Sequence, residues 1–161
     1  MMPIATTEEL QEFVDYKFKY PEILEEARTR NAYKNENPCR TKECMDPLAT
    51  LGDAILDTIA VYRIYEECER RKGKLTENKI LNIKRKKTRT FAEKMKLGKY
   101  IRWGKGEDQD EVWNKGDRAL DTVTEALIGA IFLDAQKSGE NGLKIVQNFL
   151  ETKNFFDMDP E

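Results

Sequence analysis

The amino-acid sequence predicts an all-α fold. Apolar residues recur at intervals of three and four positions along most of the chain, which is typical of amphipathic helices. No segment of useful length shows the alternation of apolar and polar residues that is typical of strands. Prolines, glycines and capping patterns divide the chain into about seven helices. A chain of 161 residues is long enough for one core, so we expect a single domain over residues 1–161.

Two short helices are predicted near the N-terminus. Thr6 and Glu9 have the spacing of a capping box, in which each side chain accepts a hydrogen bond from the backbone N–H of the other residue. The second helix is predicted to begin at Pro21, because proline is well tolerated in the first helical turn. Residues 31–44 are polar and contain Asn37-Pro38, which predicts a loop.

A long central helix is predicted to begin at Asp46-Pro47, with Asp46 as its N-cap and Pro47 in its first turn. It is expected to end near Glu69, since basic residues and Gly73 follow. Its buried side is predicted from five apolar residues at helical spacing: Leu48, Leu51, Ile55, Ile59 and Tyr62.

Another face of this helix carries carboxylates. Ala49, Asp53 and Asp57 are four residues apart and share a face. The small residues Ala49, Gly52 and Ala54 around Asp53 would let another element approach closely. A carboxylate in such a setting costs free energy unless a charged group meets it. Asp53 is therefore either an acid on the solvent side of an amphipathic helix or a functional group.

Residues 70–105 form a strongly basic segment. They contain 15 Lys and Arg residues but only two acids, Glu77 and Glu93. This segregation of charge predicts a surface that faces a polyanion, and a solvated helix face is the alternative. The densest basic run consists of Lys84, Arg85, Lys86, Lys87 and Arg89.

Two further helices are predicted within this segment. One begins at Leu75, and the other contains Phe91 and ends at Gly98. Residues 100–106 are expected to form a loop or a single turn, and residues 107–110 an acidic loop.

The strongest helix after the central one is predicted over residues 112–135. Glu125 lies off its apolar stripe, and the small residues Ala126 and Gly129 are close by. Ser138-Gly139 ends the helix, and a final helix around Phe149 follows. The apolar stripe consists of Leu120, Val123, Leu127, Ala130 and Ile131.

The composition excludes several classes of mechanism. The chain has no histidine, which excludes the serine, cysteine and zinc mechanisms that need imidazole. Cys39, Cys44 and Cys68 are expected to be ordinary thiols in a reducing compartment rather than metal ligands. No apolar run is long enough to span a membrane and no signal-peptide pattern is present, so we expect a cytoplasmic protein without a membrane partner.

Without histidine, any catalysis falls to the acids. Asp53 and Glu125 lie in the two most apolar helices, and antiparallel packing of these helices can bring both carboxylates to one point. Such a pair can hold a hard divalent ion such as Mg²⁺, which lowers the pKa of bound water and neutralises charge on a phosphate. The basic segment would hold a phosphate backbone nearby. The alternative is that both acids are structural.

Four segments resemble the catalytic domain of the ribonuclease III family. Residues 51–56 (LGDAIL) resemble the end of its signature helix, N-E-R-L-E-F-L-G-D-A-V-L. Residues 20–31 resemble its ALTHRS helix, residues 88–107 its segment ending in LGKGE, and residues 124–134 its EALIGAIFLD helix. The segments follow the family order over about residues 16–151.

The resemblance implies an all-helical endonuclease domain that forms a homodimer and cleaves double-stranded or structured RNA with Mg²⁺, for which Mn²⁺ can substitute. It implies that Asp53 and Glu125 are catalytic and bind the metal, with support from Asp121 and Asp46. The basic run defined above would contact the RNA. Up to Glu161 the sequence has no counterpart of the family's separate double-stranded-RNA-binding domain, so we expect the chain to act without one.

Several residues depart from the family pattern. The lost carboxylates predict weaker Mg²⁺ binding and an attenuated activity. Asp121 and Asp57 are candidate substitutes, since Asp121 lies four residues before Glu125 on the same helix face. A direct metal ligand of the family falls on Ala49, and the Asp before its late Glu falls on Thr122. A supporting Glu falls on Lys72, and the Phe that plugs into the partner subunit falls on Thr50.

Three functions are consistent with these observations. The first is a metal-dependent endoribonuclease with an altered centre. The second is a catalytically silent, RNA-binding or ribosome-associated dimer of the same fold, which the replaced carboxylates favour. The third is a helical protein-interaction module, because a fold by itself does not determine a function.

Overall fold

The computed structural model describes residues 4–67, 87–114 and 118–158. Within these ranges the regular structure is helical and contains no strand, and extended segments meet only at one isolated bridge, between Thr29 and Arg102. The predicted all-α fold is confirmed. None of the helices in this part of the chain is both long enough and apolar enough to cross a membrane.

The helices are numbered in chain order. The predicted helix that begins at Leu75, and the predicted end of the central helix near Glu69, lie outside the described residues. Three short 3₁₀ helices cover Leu97–Tyr100, Val112–Asn114 and Phe155–Asp157. The α-helices are α1 (Thr7–Val14), α2 (Pro21–Ala27), α3 (Asn31–Glu36), α4 (Asp46–Glu67), α5 (residues 87–94), α6 (Lys105–Gln109), α7 (Ala119–Lys137) and α8 (Gly142–Thr152).

Local capping signals place the first helices as predicted. The Thr6 hydroxyl accepts a hydrogen bond from the backbone N–H of Glu9 (3.2 Å), and the Glu9 carboxylate accepts one from the N–H of Thr6 (2.7 Å). This capping box begins α1, and Pro21 begins α2. Both predictions are confirmed. They could be made from the sequence because capping and the preference for proline depend on neighbouring residues alone.

The central helix begins one residue earlier than predicted. The Met45 carbonyl accepts the first helical hydrogen bond, from the N–H of Ala49 at 2.8 Å. Asp46 is therefore the first residue of α4 rather than its N-cap. Its carboxylate still lies at the positive end of the helix dipole, where a negative charge is favourable.

Helices α4 and α7 cross in backbone contact. A Cβ atom placed on Gly52 would lie 1.8 Å from the carbonyl oxygen of Glu125, and one on Gly129 would lie 2.1 Å from the carbonyl oxygen of Leu48. Only glycine fits at either position. The close approach predicted from the small residues is confirmed, and it determines how the two longest described helices pack.

α7 is the core helix of the domain. The predicted stripe is buried, and so are Ala126 and Ile128 on other faces of the helix. α2, α4 and α8 all pack against it. Burial on nearly every side explains why its sequence is apolar around most of its circumference. The buried stripe is Leu120, Val123, Leu127, Ala130 and Ile131.

The buried face of α4 differs from the prediction. Leu48 and Ile59 are buried as predicted, but Tyr62 is 51% exposed, and Leu51 and Ile55 are only half-buried. The helix turns Gly52 toward α7, because the backbone contact there requires that face, and Ala54 is exposed. The residues that it buries are Leu48, Ala49, Gly52, Leu56 and Ile59.

Four further boundaries were predicted incorrectly. The helix that contains Phe91 ends at residue 94 rather than at Gly98, which lies in the 3₁₀ helix Leu97–Tyr100. α3 lies within the predicted loop 31–44, and α6 covers most of the predicted acidic loop. Neither short helix buries a residue, so neither has the apolar periodicity on which the prediction depends. α7 begins at Ala119 rather than at Val112, which belongs to a separate 3₁₀ turn.

A buried carboxylate joins the N-terminal segment to α7. Asp134 is fully buried and accepts hydrogen bonds from the Tyr16 hydroxyl (2.7 Å) and from the backbone N–H groups of Lys19 (3.1 Å) and Tyr20 (2.8 Å). Burial of the Tyr16 hydroxyl raises its pKa, and the neighbouring Asp134 carboxylate raises it further. These donors compensate the buried charge, so the start of α2 is held against α7.

Candidate active site

Asp53 and Glu125 come from the point where α4 and α7 touch. Asp53 follows Gly52, whose Cα lies against the backbone of Glu125. Both acids are half-buried rather than fully exposed. The backbone contact that requires glycine therefore also places the two carboxylate-bearing residues side by side, on different helices that share one rigid crossing.

Ala49 lies one turn before Asp53 and is 6% exposed. Its methyl group belongs to the hydrophobic core. The position at which the resemblance expects a second carboxylate on this helix therefore carries a small, buried residue. Asp57, one turn beyond Asp53, is half-buried.

Asp121 lies one turn before Glu125 on α7, and both of its carboxylate oxygens accept hydrogen bonds. The Arg89 guanidinium donates from Nη2 to Oδ2 at 3.2 Å, and the Thr88 hydroxyl donates to Oδ1 at 3.2 Å. The Asp121 side chain is 15% exposed. Asp121 is thus next to the candidate centre, but it is already paired with a cation.

The start of α5 is fixed next to this pair. Thr124, between Asp121 and Glu125 on α7, donates a hydrogen bond from its hydroxyl to the carbonyl of Thr88 at 2.8 Å. Thr88 and Thr124 are both completely buried. The α5 backbone therefore cannot slide relative to α7 without breaking a buried hydrogen bond, and this holds Arg89 next to Asp121.

Asp46 is the most distant of the predicted acids. It is exposed and precedes Asp53 by seven helical residues, a rise of about 10 Å. At that separation the Asp46 carboxylate would reach an ion at Asp53 only through an intervening water. Asp46 and Asp53 lie on the same side of α4, since seven residues make nearly two full turns.

Two members of the basic run, Lys87 and Arg89, lie in the described part of the chain, and both have partners within the protein. The Lys87 ammonium donates a hydrogen bond to the carbonyl of Phe156, and Arg89 pairs with Asp121. Lys84, Arg85 and Lys86 lie outside the described residues. The charge pattern identified the segment but not these contacts, which join residues more than 30 positions apart in the chain.

The donor set limits which ion the site can take. Among the described residues, no three His, Cys, Asp or Glu side chains are grouped closely enough to hold one ion together. Two carboxylates from adjacent backbones suit Mg²⁺, which often binds through one or two carboxylates and retains several waters. Asp53 and Glu125 fit a hydrated divalent ion of this kind.

The comparison with protein families decides the assignment. The model of the family described as ribonuclease-III-like matches residues 20–153. The chain belongs to the ribonuclease-III-like family. The resemblance stated from the four sequence segments is confirmed. The matched region includes α4, α5 and α7, and therefore the whole of the candidate site.

Curated relatives and solved structures agree with this assignment. A protein named ribonuclease 3 from Listeria monocytogenes serovar 1/2a is 34% identical over 149 residues, which cover 89% of this chain and 60% of the relative. A ribonuclease 3 from Limosilactobacillus fermentum is 32% identical over 145 residues, which cover 88% of this chain and 59% of the relative. The chain therefore spans about three fifths of the length of these two relatives.

The fold is also that of a ribonuclease III nuclease domain. A structure of this domain from Campylobacter jejuni, described for flexibility in a region involved in dimer formation, superposes with a TM-score of 0.77 at 22% identity, covering 95% of this chain and all of the other. A second structure of the same domain gives a TM-score of 0.76 at 23% identity, covering 97% of this chain and all of that one.

Proposed function

We propose that this chain is the nuclease domain of an endoribonuclease that hydrolyses phosphodiester bonds in double-stranded or structured RNA with the help of a divalent metal ion. The observation that carries the proposal is the placement of Asp53 and Glu125 on adjacent backbones at the α4–α7 crossing. Membership of the ribonuclease-III-like family supports the same reaction.

Asp53 and Glu125 would hold the ion, with Asp121 and Asp46 as supporting acids. When bound, Mg²⁺ or Mn²⁺ supplies an acidified water and neutralises charge on the reacting phosphate. The two carboxylates would provide the negative charge that this requires. The backbone contact between their helices would help to preorganise them.

The basic residues of α5 border this centre and would bind the phosphate backbone. Arg89 is 37% exposed, so its guanidinium is accessible to an anion while it is paired with Asp121. Lys84, Arg85, Lys86 and Lys87 continue the positive charge along the chain. Phosphate contacts of this kind give affinity that falls steeply with salt and does not depend on RNA sequence.

A homodimer would form through the exposed side of α4. Val61, Tyr62 and Tyr65 are between 43% and 51% exposed, and they form an apolar stripe that continues from the half-buried Leu51 and Ile55. Exposed apolar stripes of this kind mark interaction surfaces. The hydroxyl of Thr50, at the position of the family's plugging Phe, is hydrogen-bonded to the Asp46 carbonyl of its own helix at 3.1 Å.

A catalytically silent RNA-binding dimer is the second candidate, and two observations favour it. Ala49 is buried in the hydrophobic core, so position 49 supplies no ligand in place of the missing carboxylate. Asp121 is paired with Arg89. Two acids would then carry the metal site by themselves, which lowers its affinity for the ion.

A cleavage assay separates these functions. Long double-stranded RNA is incubated with the full chain and with Mg²⁺, Mn²⁺ or a chelator. We expect cleavage with either metal and a loss of about 100-fold or more in the Asp53→Asn and Glu125→Gln variants. Glu12→Gln, which changes an exposed acid on α1, is the matched control and should retain full activity.

The possible results exclude different hypotheses. Absence of metal-dependent cleavage, together with RNA binding that weakens as salt increases, would overturn the enzyme and support the silent dimer. Cleavage that survives both active-site substitutions would overturn the proposed site. Failure to bind RNA at low salt would exclude both RNA-binding functions and leave the protein-interaction module as the remaining hypothesis.

A further inference from the structure

Arg89 of α5 and Asp121 of α7 form an ion pair beside the proposed metal site. Their distance is 3.2 Å, and the second oxygen of the carboxylate is taken by the Thr88 hydroxyl. The pair lies one helical turn from Glu125. A positive charge is therefore built into the chain next to the place where a divalent cation would bind.

The position of this charge is determined by buried contacts. Thr88, adjacent to Arg89, is completely buried and bonded through its carbonyl to Thr124 of α7. The Arg89 Nε is shielded from solvent and has no hydrogen-bond partner among the described residues. The guanidinium thus meets Asp121 through one nitrogen at one oxygen, rather than in the two-pronged geometry that arginine favours.

A guanidinium cannot lose its charge at any ordinary pH. A divalent ion near Asp121 would compete with it for the same carboxylate, and would also be repelled by it. Asp121 can therefore give little attraction to an ion held by Asp53 and Glu125, although it lies on the same face of α7 as Glu125.

We propose that Arg89 is a fixed counter-cation of Asp121, which keeps this carboxylate out of direct coordination and holds one permanent positive charge at that side of the metal site. The inference rests on the proposed metal site at Asp53 and Glu125. Arg89 is in this sense a positioning residue, because it acts on the ion through Asp121.

The test measures Mn²⁺ binding by the full chain, using the electron paramagnetic resonance signal of free Mn²⁺ at constant ionic strength. We expect Arg89→Gln to bind Mn²⁺ about three- to tenfold more tightly than the unmodified chain, because Asp121 is released. Arg89→Lys, which retains the charge, should keep the original affinity. Asp121→Asn should weaken binding by about two- to threefold, because it leaves the Arg89 charge unneutralised. Arg89→Gln with Asp121→Asn should return to about the original affinity.

Two controls separate this effect from others. Arg40→Gln removes an exposed arginine from a distant loop and shows what a change of net charge does alone. Circular dichroism melting checks that each variant is folded. If Arg89→Gln does not fold, the double variant Arg89→Gln with Asp121→Asn still decides, because it removes both charges of the pair. A tenfold loss of affinity in the double variant would show that Asp121 is a ligand and overturn the proposal.

The outcomes distinguish this inference from the function on which it rests. Binding that Glu125→Gln abolishes but Arg89→Gln leaves unchanged would overturn only the role of Arg89. Absence of Mn²⁺ binding in every variant would overturn both the metal site and the counter-cation. If Arg89→Gln and Arg40→Gln raised the affinity for Mn²⁺ equally, the effect would come from net charge alone, and the proposal would also be overturned.

Discussion

Gly52 lies directly against the backbone of Glu125, so closely that a Cβ atom at residue 52 would come within 1.8 Å of the Glu125 carbonyl oxygen. This contact joins α4 to α7 and at the same time sets the positions of Asp53 and Glu125. Stability and the geometry of the candidate site therefore depend on the same atom-to-atom contact. A substitution at Gly52 should affect both.

We expect Gly52→Ala to lower the free energy of unfolding by about 1–3 kcal/mol, because the added methyl group forces the two backbones apart. Urea denaturation at fixed protein concentration measures this. Gly106→Ala is the matched control, since a Cβ there would meet nothing within 4 Å, and it should be neutral or slightly stabilising. Equal effects of the two substitutions would contradict the packing argument.

Asp134→Asn should destabilise the fold by about 2–3 kcal/mol, because an amide cannot accept all three hydrogen bonds that converge on the buried carboxylate. Tyr16→Phe removes one of these donors and should cost about 1 kcal/mol. Thermal or urea unfolding ranks the two variants. If Asp134→Asn were as stable as the unmodified chain, the carboxylate would not be anchoring the N-terminal segment.

Ala49→Glu tests whether a lost ligand can be restored. Since Ala49 is buried in the hydrophobic core, the metal-free variant should be less stable by about 2 kcal/mol or more. Millimolar Mg²⁺ should recover part of this loss, because an ion that binds only the folded state stabilises it. Ala49→Gln, of similar size without the charge, should be destabilised and not rescued. Equal rescue of both variants would place the ion elsewhere.

Tyr62→Lys tests the dimer surface on α4. A charge in the centre of the exposed apolar stripe should weaken self-association by about tenfold or more, since a buried unpaired charge opposes binding. Sedimentation velocity over a range of protein concentrations measures the effect. Leu143→Lys, which replaces an exposed leucine on α8, is the matched control. A dimer that weakens equally in both variants would contradict the assignment of the surface.

Four features could be predicted from the amino-acid sequence: the fold class, the capping box of α1, the apolar stripe of α7 and the close approach at the small residues of α4. These features depend on residues within one or two helical turns of each other, so periodicity and capping chemistry are sufficient to predict them. The same local information identified Asp53 and Glu125 as candidates, together with the four segments that resemble the family.

The buried face of α4 and the contacts of Asp121 and Arg89 could not be predicted from the sequence, because they depend on tertiary packing. Periodicity put Tyr62 in the predicted buried stripe and left Leu56 out of it, whereas Leu56 is buried and Tyr62 is exposed. The backbone contact at Gly52 determines which face of α4 meets α7. Asp121 and Arg89 are 32 residues apart, so their pairing depends on how α5 docks on α7. No neighbouring residue carries that information, because it arises from the packing of helices that are distant in the chain.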